Sequence, residues 1–455
     1  MQVNIPRIMI AAIESGGGKT TLTCAILGAL KNREAAPCAC KCGPDFIDPM
    51  FHRKVLGSYS ANLDLFLMDA DACKALLAQR ARKADIAVIE GVMGYYDGIG
   101  TDGKDSSYQI ARETNTPVIL AVTCGGISVT LAAILNGMVD FRPDSNIKGV
   151  ILNGVSSGMY LFYKSVIEKN TGLAVLGYLP HMPDCVFESR HLGLITADEI
   201  GGLQTKIDKL AAQAERSIDL NAVIKIAESA KPLDYKPLDC GEMPLKTDIK
   251  IAVAKDRAFC FYYEENLELL ETMGAKIVEF SPLSDKALPE CNGIILGGGY
   301  PELCLKELSE NTSMLDSIKK AISSNIPCLA ECGGFMYLHN TIRGKDGRKF
   351  RMASVINADT YMTDHLHRFG YITLTANHDN LLCRAGESFG AHEFHFSDSE
   401  FCGNDFTAQK TIEEGEYACI VATPTLFAGY PHVHFWGNTG LAKNFIAECQ
   451  KHKIK

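Results

Sequence analysis

A chain of 455 residues is too long for one ordinary hydrophobic core and leaves room for two domains. Hydrophobic residues at 47% and charged residues at 22% fit a globular protein, and a net charge of −9 argues against general nucleic-acid binding, which needs a basic face. No apolar run reaches the length of a membrane span, the first seven residues, Met1 to Arg7, carry no signal-peptide pattern, and the expected location is the cytoplasm.

Short apolar runs open the chain. Ile8–Ile13, Ile86–Glu90, Val118–Val122 and Val150–Asn153 are bounded by Gly, Asp or Pro and read as buried parallel strands, with helical patterns such as Thr20–Leu30 and Ala70–Lys83 between them. This alternation predicts a doubly wound α/β domain over residues 1–228. Residues 229–248 carry three prolines and no periodicity, and read as an interdomain linker. A second α/β domain, 249–455, opens with a strand at Ile249–Ala254, a helix at Tyr262–Met273 and a strand at Lys276–Phe280.

The first strand runs into Glu14-Ser15-Gly16-Gly17-Gly18-Lys19-Thr20-Thr21. Strand, glycine loop and helix together make a phosphate cradle, in which Gly16, Gly17, Gly18 and the helix N-terminus offer N–H groups. Lys19 would neutralise the β/γ oxygens of ATP, and the Thr20 hydroxyl would bind Mg²⁺. A glycine usually stands six residues before the lysine, where this chain has Ile13. Glu14 occupies the place of the extra lysine of partitioning and cell-division switch ATPases. That leaves the kinase-like subclass that phosphorylates carboxyl groups, such as dethiobiotin synthetase.

Two acidic segments extend this site. Lys41-Cys42-Gly43-Pro44-Asp45-Phe46-Ile47-Asp48-Pro49 sits where a strand end should open into it. Asp45 is the expected metal ligand and Asp48 a substrate-side acid, although Asp48 could equally cap a helix. Lys41 would steady a phosphoryl group or carboxylate. The run 85–98 ends its apolar strand at Glu90, the second expected Mg²⁺ ligand, and carries Asp97 on a glycine-flanked loop. Cys38, Cys40 and Cys42 share one strand face without metal-ligand spacing and read as small apolar residues. The 17 cysteines read as reduced thiols.

In the second domain, Ile326–Ala330 leads into Glu331-Cys332-Gly333-Gly334 and a helical stretch. This is the strand–turn–helix of a nucleophile elbow, in which the helix N-terminus would favour the Cys332 thiolate. Gly298 and Gly299, ending an upstream strand, and Gly333 would form the oxyanion hole. The base falls in Tyr430-Pro431-His432-Val433-His434-Phe435. Class I glutamine amidotransferases carry His-x-Glu here, so His432 is the first choice and His434 the second, in a Cys–His site lacking the orienting glutamate. His392-Glu393-Phe394-His395 has the wrong spacing for a zinc protease and suits a strand.

Over essentially its whole length the chain resembles the cobyrinate a,c-diamide synthases. The segments that carry the resemblance are Ser15–Thr21, Lys41–Pro49 with His52, Glu90–Gly98, Arg190–Leu194, Glu331–Leu338, Gly390–Ser397 and Tyr430–Phe435. The resemblance implies a dethiobiotin synthetase-like phosphate-loop domain joined to a class I glutamine amidotransferase-like domain. It also implies ATP, glutamine and Mg²⁺ use, a corrin carboxylate substrate and amidation of the a and c acetates through acyl phosphates. Ammonia would pass internally from Cys332 to the N-terminal domain. Lys19, Thr20 and Glu90 match the nucleotide and metal positions, and Asp45, Asp48 and Asp97 the substrate-side acids. Phe46 stands where a tyrosine is common. Hydrogenobyrinate and nickel sirohydrochlorin remain open as substrates, and a homodimer as the assembly. A switch ATPase with an inactive amidotransferase-like domain is the rival reading.

Overall fold

Strands covered on both faces need no hydrophobic alternation, and the first-half runs behave accordingly. The computed structural model describes residues 1–187, 189, 190, 193, 194, 196, 197, 200–239, 248–412 and 415–452. Two compact units divide the chain: Met1–Leu65 with Asp69–Leu238, and Phe66–Met68 with Asp239–Lys455.

The first unit is built on seven parallel strands: β1 (Arg7–Ala12), β2 (Pro37–Cys42), β3 (Ala61–Leu63), β4 (Ile86–Glu90), β5 (Val118–Thr123), β6 (Ile147–Asn153) and β7 (Ala174–Leu179). Their spatial order is β3-β2-β4-β1-β5-β6-β7. Strands β2 to β4 lie on one side of β1 and β5 to β7 on the other, so the loop after β1 opens where such sheets bind ligands. Helix α1 (Lys19–Asn32) follows that loop, and α2 (Ile47–Leu56) follows β2. Cys38, Cys40 and Cys42 are all buried in β2. Every described cysteine is unbridged.

The expected linker is only partly a linker. Leu233–Asp234 pairs antiparallel with Gln2–Val3, and Leu233 is buried. The buried Arg7 guanidinium donates to the carbonyls of Thr114 (2.7 Å), Lys231 (2.6 Å) and Ile5 (2.9 Å). Residues up to 238 therefore belong to the first unit. A two-residue backbone pairing needs no side-chain periodicity, which is why the sequence pattern hides it. Residues 240–247 of that segment lie outside the described residues, as do His191 and Leu192 of the Arg190–Leu194 motif.

In the second unit, β8 (Ile249–Ala254), β9 (Ala275–Phe280), β10 (Gly293–Leu296), β11 (Cys328–Glu331), β16 (Val421–Ala422) and β17 (Leu426–Gly429) form one sheet. A second, antiparallel sheet holds β12 (Arg368–Ala376), β13 (Ser388–His395), β14 (Phe406–Lys410), β15 (Glu416–Cys419) and β18 (His432–Val433). The orders are β9-β8-β10-β11-β17-β16 and β15-β14-β12-β13-β18. Only β16 runs antiparallel in the first of these. Strand β17 lies beside β11, with Gly429 opposite Glu331. The chain then leaves the parallel sheet through Tyr430-Pro431 and joins the antiparallel one at His432. Among the described residues no helix is long and apolar enough to cross a membrane.

Arg7 is a buried cation with no carboxylate among its recorded hydrogen-bond partners, and burial lowers its pKa to about 10. Arg7→Met strips the carbonyls of Thr114 and Lys231 of their donor. Chemical denaturation should show the first unit destabilised by about 3 kcal/mol, and an unchanged midpoint would contradict this.

Candidate active sites

The phosphate loop is shaped by backbone demands. Gly18 caps α1 at φ +83°, and a Cβ there would stand 2.0 Å from the Asn153 side-chain nitrogen. That nitrogen donates to the Gly17 carbonyl at 3.2 Å, so Asn153, which the sequence reading passed over, braces the loop. Gly16, Gly18, Lys19, Thr20 and Thr21 line a cavity of about 740 Å³, while Gly17 is buried. The Lys19 ammonium donates to the carbonyls of Glu14 (3.1 Å) and Met93 (2.5 Å). Burial, and then the charge of Lys41, lower its pKa to about 8.

A buried charge cluster forms one wall of the same cavity. Glu90, fully buried at the end of β4, accepts from Thr20 Oγ1 (2.7 Å) and from Lys41 Nζ (3.0 Å) through Oε1. Its Oε2 faces His52 Nε2 at 2.7 Å, and His52 Nδ1 meets Ser60 Oγ at 3.0 Å. A carboxylate accepts, so His52 donates to Glu90 from Nε2. Lys41 also pairs with Asp48 Oδ2 at 2.6 Å, and Asp48 Oδ1 lies 3.2 Å from Thr20 Oγ1. Burial by itself would raise the Glu90 pKa, but Lys41, His52 and Thr20 hold it well below the usual carboxylate range. Asp48 goes the other way: burial, Asp45 and Glu90 push it up against the pull of Lys41. Burial would lower the Lys41 pKa, but Asp48 and Glu90 outweigh it and keep the cation charged.

Asp45, the expected metal ligand, lines the cavity and accepts through Oδ1 the backbone N–H groups of Ile47 (2.7 Å) and Asp48 (3.4 Å) at the start of α2. Asp48, expected as a substrate-side acid with a helix cap as the rival reading, lies beside Thr20 and pairs with Lys41. Asp97 is exposed, accepts from the Gly94 N–H at 3.0 Å and is absent from the cavity lining. Its charge still acts on Lys19. Among the described residues no group of three or more His, Cys, Asp or Glu is placed to hold a metal. Thr20, Asp48 and Glu90 nonetheless offer three oxygen donors. Such a set fits Mg²⁺, which keeps waters and nucleotide oxygens in its shell.

In the second unit, β11 ends at Glu331 and Cys332 turns the chain at φ 48°, ψ −102° into the helix α3 (Gly333–Tyr337). A non-glycine residue held at positive φ is strained, and such strain marks functional turns. The Cys332 N–H donates to the Gly429 carbonyl at 2.8 Å and that of Gly334 to Gly297 at 2.9 Å. A Cβ on Gly334 would fall 2.1 Å from the Leu296 carbonyl, so the helix reaches this close to β10 only without a side chain. At five residues α3 has little macrodipole to offer Cys332.

His432 faces the nucleophile: its ring is hydrogen-bonded to the Cys332 side chain and, through Nδ1, to Glu331 Oε2 at 3.1 Å. Nδ1 is taken, which leaves Nε2 for Cys332. Burial would lower the His432 pKa, but Cys332 and Glu331 raise it to about 10. The ring packs against Gly298, where a Cβ would stand 2.6 Å from Cε1. Gly299, at φ +151°, brings its nitrogen within 3.3 Å of the position a Gly333 Cβ would take. The second-choice base is elsewhere: His434 Nε2 meets Glu265 Oε1 at 3.0 Å, and its ring lies 4.6 Å from that of Tyr263. His392 stands opposite His432 in the β13–β18 register. Burial and the His432 charge lower its pKa to about 3, so it is neutral.

Comparison with known proteins agrees with both halves. Residues 8–192 match the CobQ/CobB/MinD/ParA nucleotide binding domain, and residues 250–440 the CobB/CobQ-like glutamine amidotransferase domain. A cobyrinate a,c-diamide synthase of Caldanaerobacter subterraneus subsp. tengcongensis is 40% identical over 97% of this chain and 98% of its own. The chain belongs to the cobyrinate a,c-diamide synthase family. Two further members of the family are those of Thermoplasma volcanium, 39% identical over 100% of this chain and 99% of its own, and Dehalococcoides mccartyi, 40% identical over 98% of each. The two-domain α/β architecture implied by the resemblance therefore holds.

A raised pKa means that His432 keeps its proton at neutral pH and loses it only as pH rises through about 10. Iodoacetamide at pH 7 should label Cys332 well ahead of Cys24, Cys42 and Cys73, whose thiols burial pushes up. Peptide mapping that finds any of those three modified first would contradict the pairing.

Proposed function

We propose that Cys332 and His432 hydrolyse glutamine and that the ammonia is captured by a carboxylate activated in the cavity of the first unit. As a member of its family the chain is a glutamine- and ATP-dependent amide-forming ligase of cobalamin biosynthesis. The observation that carries the residue-level reading is the Cys332–His432 hydrogen bond at a strained elbow.

The glutaminase steps follow from this geometry. The Cys332 sulfur attacks the carboxamide carbon, and the N–H groups of Gly299 and Gly333 receive the developing oxyanion. His432 hands its proton to the departing nitrogen, leaving a thioester. Water then attacks the thioester with His432 as base, releasing glutamate and the thiolate.

In the first unit a carboxylate oxygen of the substrate attacks the γ-phosphorus of ATP, and ADP departs. Ammonia attacks the acyl carbon and phosphate leaves, so the amide forms without expelling oxide. Lys19 and the loop N–H groups bind the phosphates, and Lys41 supplies the second cation facing the transferred group. Thr20, Asp48 and Glu90 would hold Mg²⁺, which when bound neutralises phosphate charge. Glutamine, ATP and a tetrapyrrole carboxylate are the substrates, and the a and c acetates of cobyrinate the preferred acceptors.

Mass spectrometry after incubation with ATP, Mg²⁺, glutamine and, separately, cobyrinate, hydrogenobyrinate or nickel sirohydrochlorin tests the acceptor. Two successive replacements of hydroxyl by amine on cobyrinate are expected, and no change on any of the three would overturn the reading. Cys332→Ala should abolish glutamine-dependent amidation and leave ammonia-dependent amidation within about threefold, since only the nucleophile is lost. Asp48→Asn should reduce amidation about 100-fold while glutamine hydrolysis persists, and equal loss of both activities would contradict its assignment to the carboxylate site.

A further inference from the structure

We infer that Glu331, the residue immediately before the nucleophile, is the third member of a Cys332–His432–Glu331 triad and positions the base. This rests on the reading of Cys332 and His432 as the glutaminase pair and deepens it.

A Cys–His pair leaves the imidazole free to rotate and to choose its tautomer unless a third group holds the far nitrogen. The amidotransferase pattern places that group two residues after the histidine, and this chain has His434 there. His434 is committed to Glu265, and Asn266 fixes the backbone on either side of it by donating to the Val433 carbonyl (2.9 Å) and accepting from the Phe435 N–H (2.8 Å). No carboxylate can come from that position.

Glu331 supplies one from another direction. Its two oxygens grip the same dipeptide: Oε2 takes the Nδ1 proton of His432 at 3.1 Å, and Oε1 accepts the Val433 N–H at 3.2 Å. Glu331 is buried, with 9% of the residue exposed. The turn at Cys332 makes this possible. Glu331 is the last residue of β11, and Gly429 lies opposite it in β17. Three residues later His432 begins β18. Nucleophile and orienting acid are therefore neighbours in sequence, set on either side of one strained φ, and the histidine closes over both. The titratable groups facing the ring are Cys332 and Glu331 from the elbow and His392 and Glu393 from β13. Glu393 takes a hydrogen bond from the Tyr417 hydroxyl and lies 3.9 Å from Arg368, so its charge is partnered elsewhere.

The test compares Glu331→Gln with Cys332→Ala in the full chain. Glutamine hydrolysis, ammonia-dependent amidation and the pH dependence of glutaminase kcat/KM are measured for each. Glu331→Gln is expected to lower glutaminase kcat about 100-fold or more with little change in KM, by analogy with loss of a triad acid. The alkaline limb of its pH profile should move to lower pH, and ammonia-dependent amidation should be kept. Glutaminase activity within about threefold of the parent would overturn the inference. So would a large loss with an unmoved pH profile, or parallel loss of ammonia-dependent activity, because either marks a merely structural residue. If Cys332→Ala retains glutamine hydrolysis, the glutaminase reading itself fails, an outcome separate from failure of the triad.

Discussion

A carboxylate taken out of water has to be paired, and in both units the pairing of one glutamate fixes the site. Glu90 ends β4 fully buried, and Glu331 ends β11 nearly so. An unpaired buried charge would cost several kcal/mol, so each glutamate gathers donors around the C-terminal edge of its sheet. Glu90 gathers Lys41, His52 and Thr20. Glu331 gathers the ring of His432 and the amide of Val433. Each holds a histidine, and the two histidines are used differently. His52 is locked between Glu90 and Ser60 as a brace, whereas His432 turns its other nitrogen to the thiol.

Electrostatic consequences follow from these pairings. Glu90 stays charged though fully buried because Lys41 stays charged beside it, and the pair keeps Asp48 and Thr20 in reach of the phosphate loop. Lys19 sits at the edge of this field, with its proton loosened by burial and by Lys41. Around Cys332 the pattern is one of opposites. His432 is held as a cation by Cys332 and Glu331, while His392, its cross-strand neighbour, is held neutral. Two like charges at adjacent cross-strand positions would repel, and burial of His392 removes one of them.

Much of this was legible in the chain itself. Apolar runs such as Ile86–Glu90 announce buried strands because both of their faces are covered, and Gly16–Thr20 and Glu331–Gly334 announce their turns because few other residues fit there. Pairings across the sheet were not legible. His52 reaches Glu90 across 38 positions and His432 reaches Glu331 across 101, and no local spacing encodes either. That the Ile47 N–H meets Asp45 is likewise not encoded in the spacing of the two acids. Glu331 is hidden because the amidotransferase pattern puts the orienting acid two residues after the histidine, where the chain has His434. The segment ending at Leu238 read as free because a two-residue strand leaves no pattern.

Isotope-resolved mass spectrometry of the Glu90→Gln protein tests most directly whether two separable half-reactions are built at the two strand-end glutamates. With amide-¹⁵N glutamine, ATP, Mg²⁺ and the carboxylate substrate, the parent protein should place ¹⁵N in every new amide. Glu90→Gln should still release glutamate and ¹⁵N-ammonia while forming no amide. An unlabelled amide from the parent, or loss of glutamine hydrolysis together with amidation in Glu90→Gln, would contradict the account.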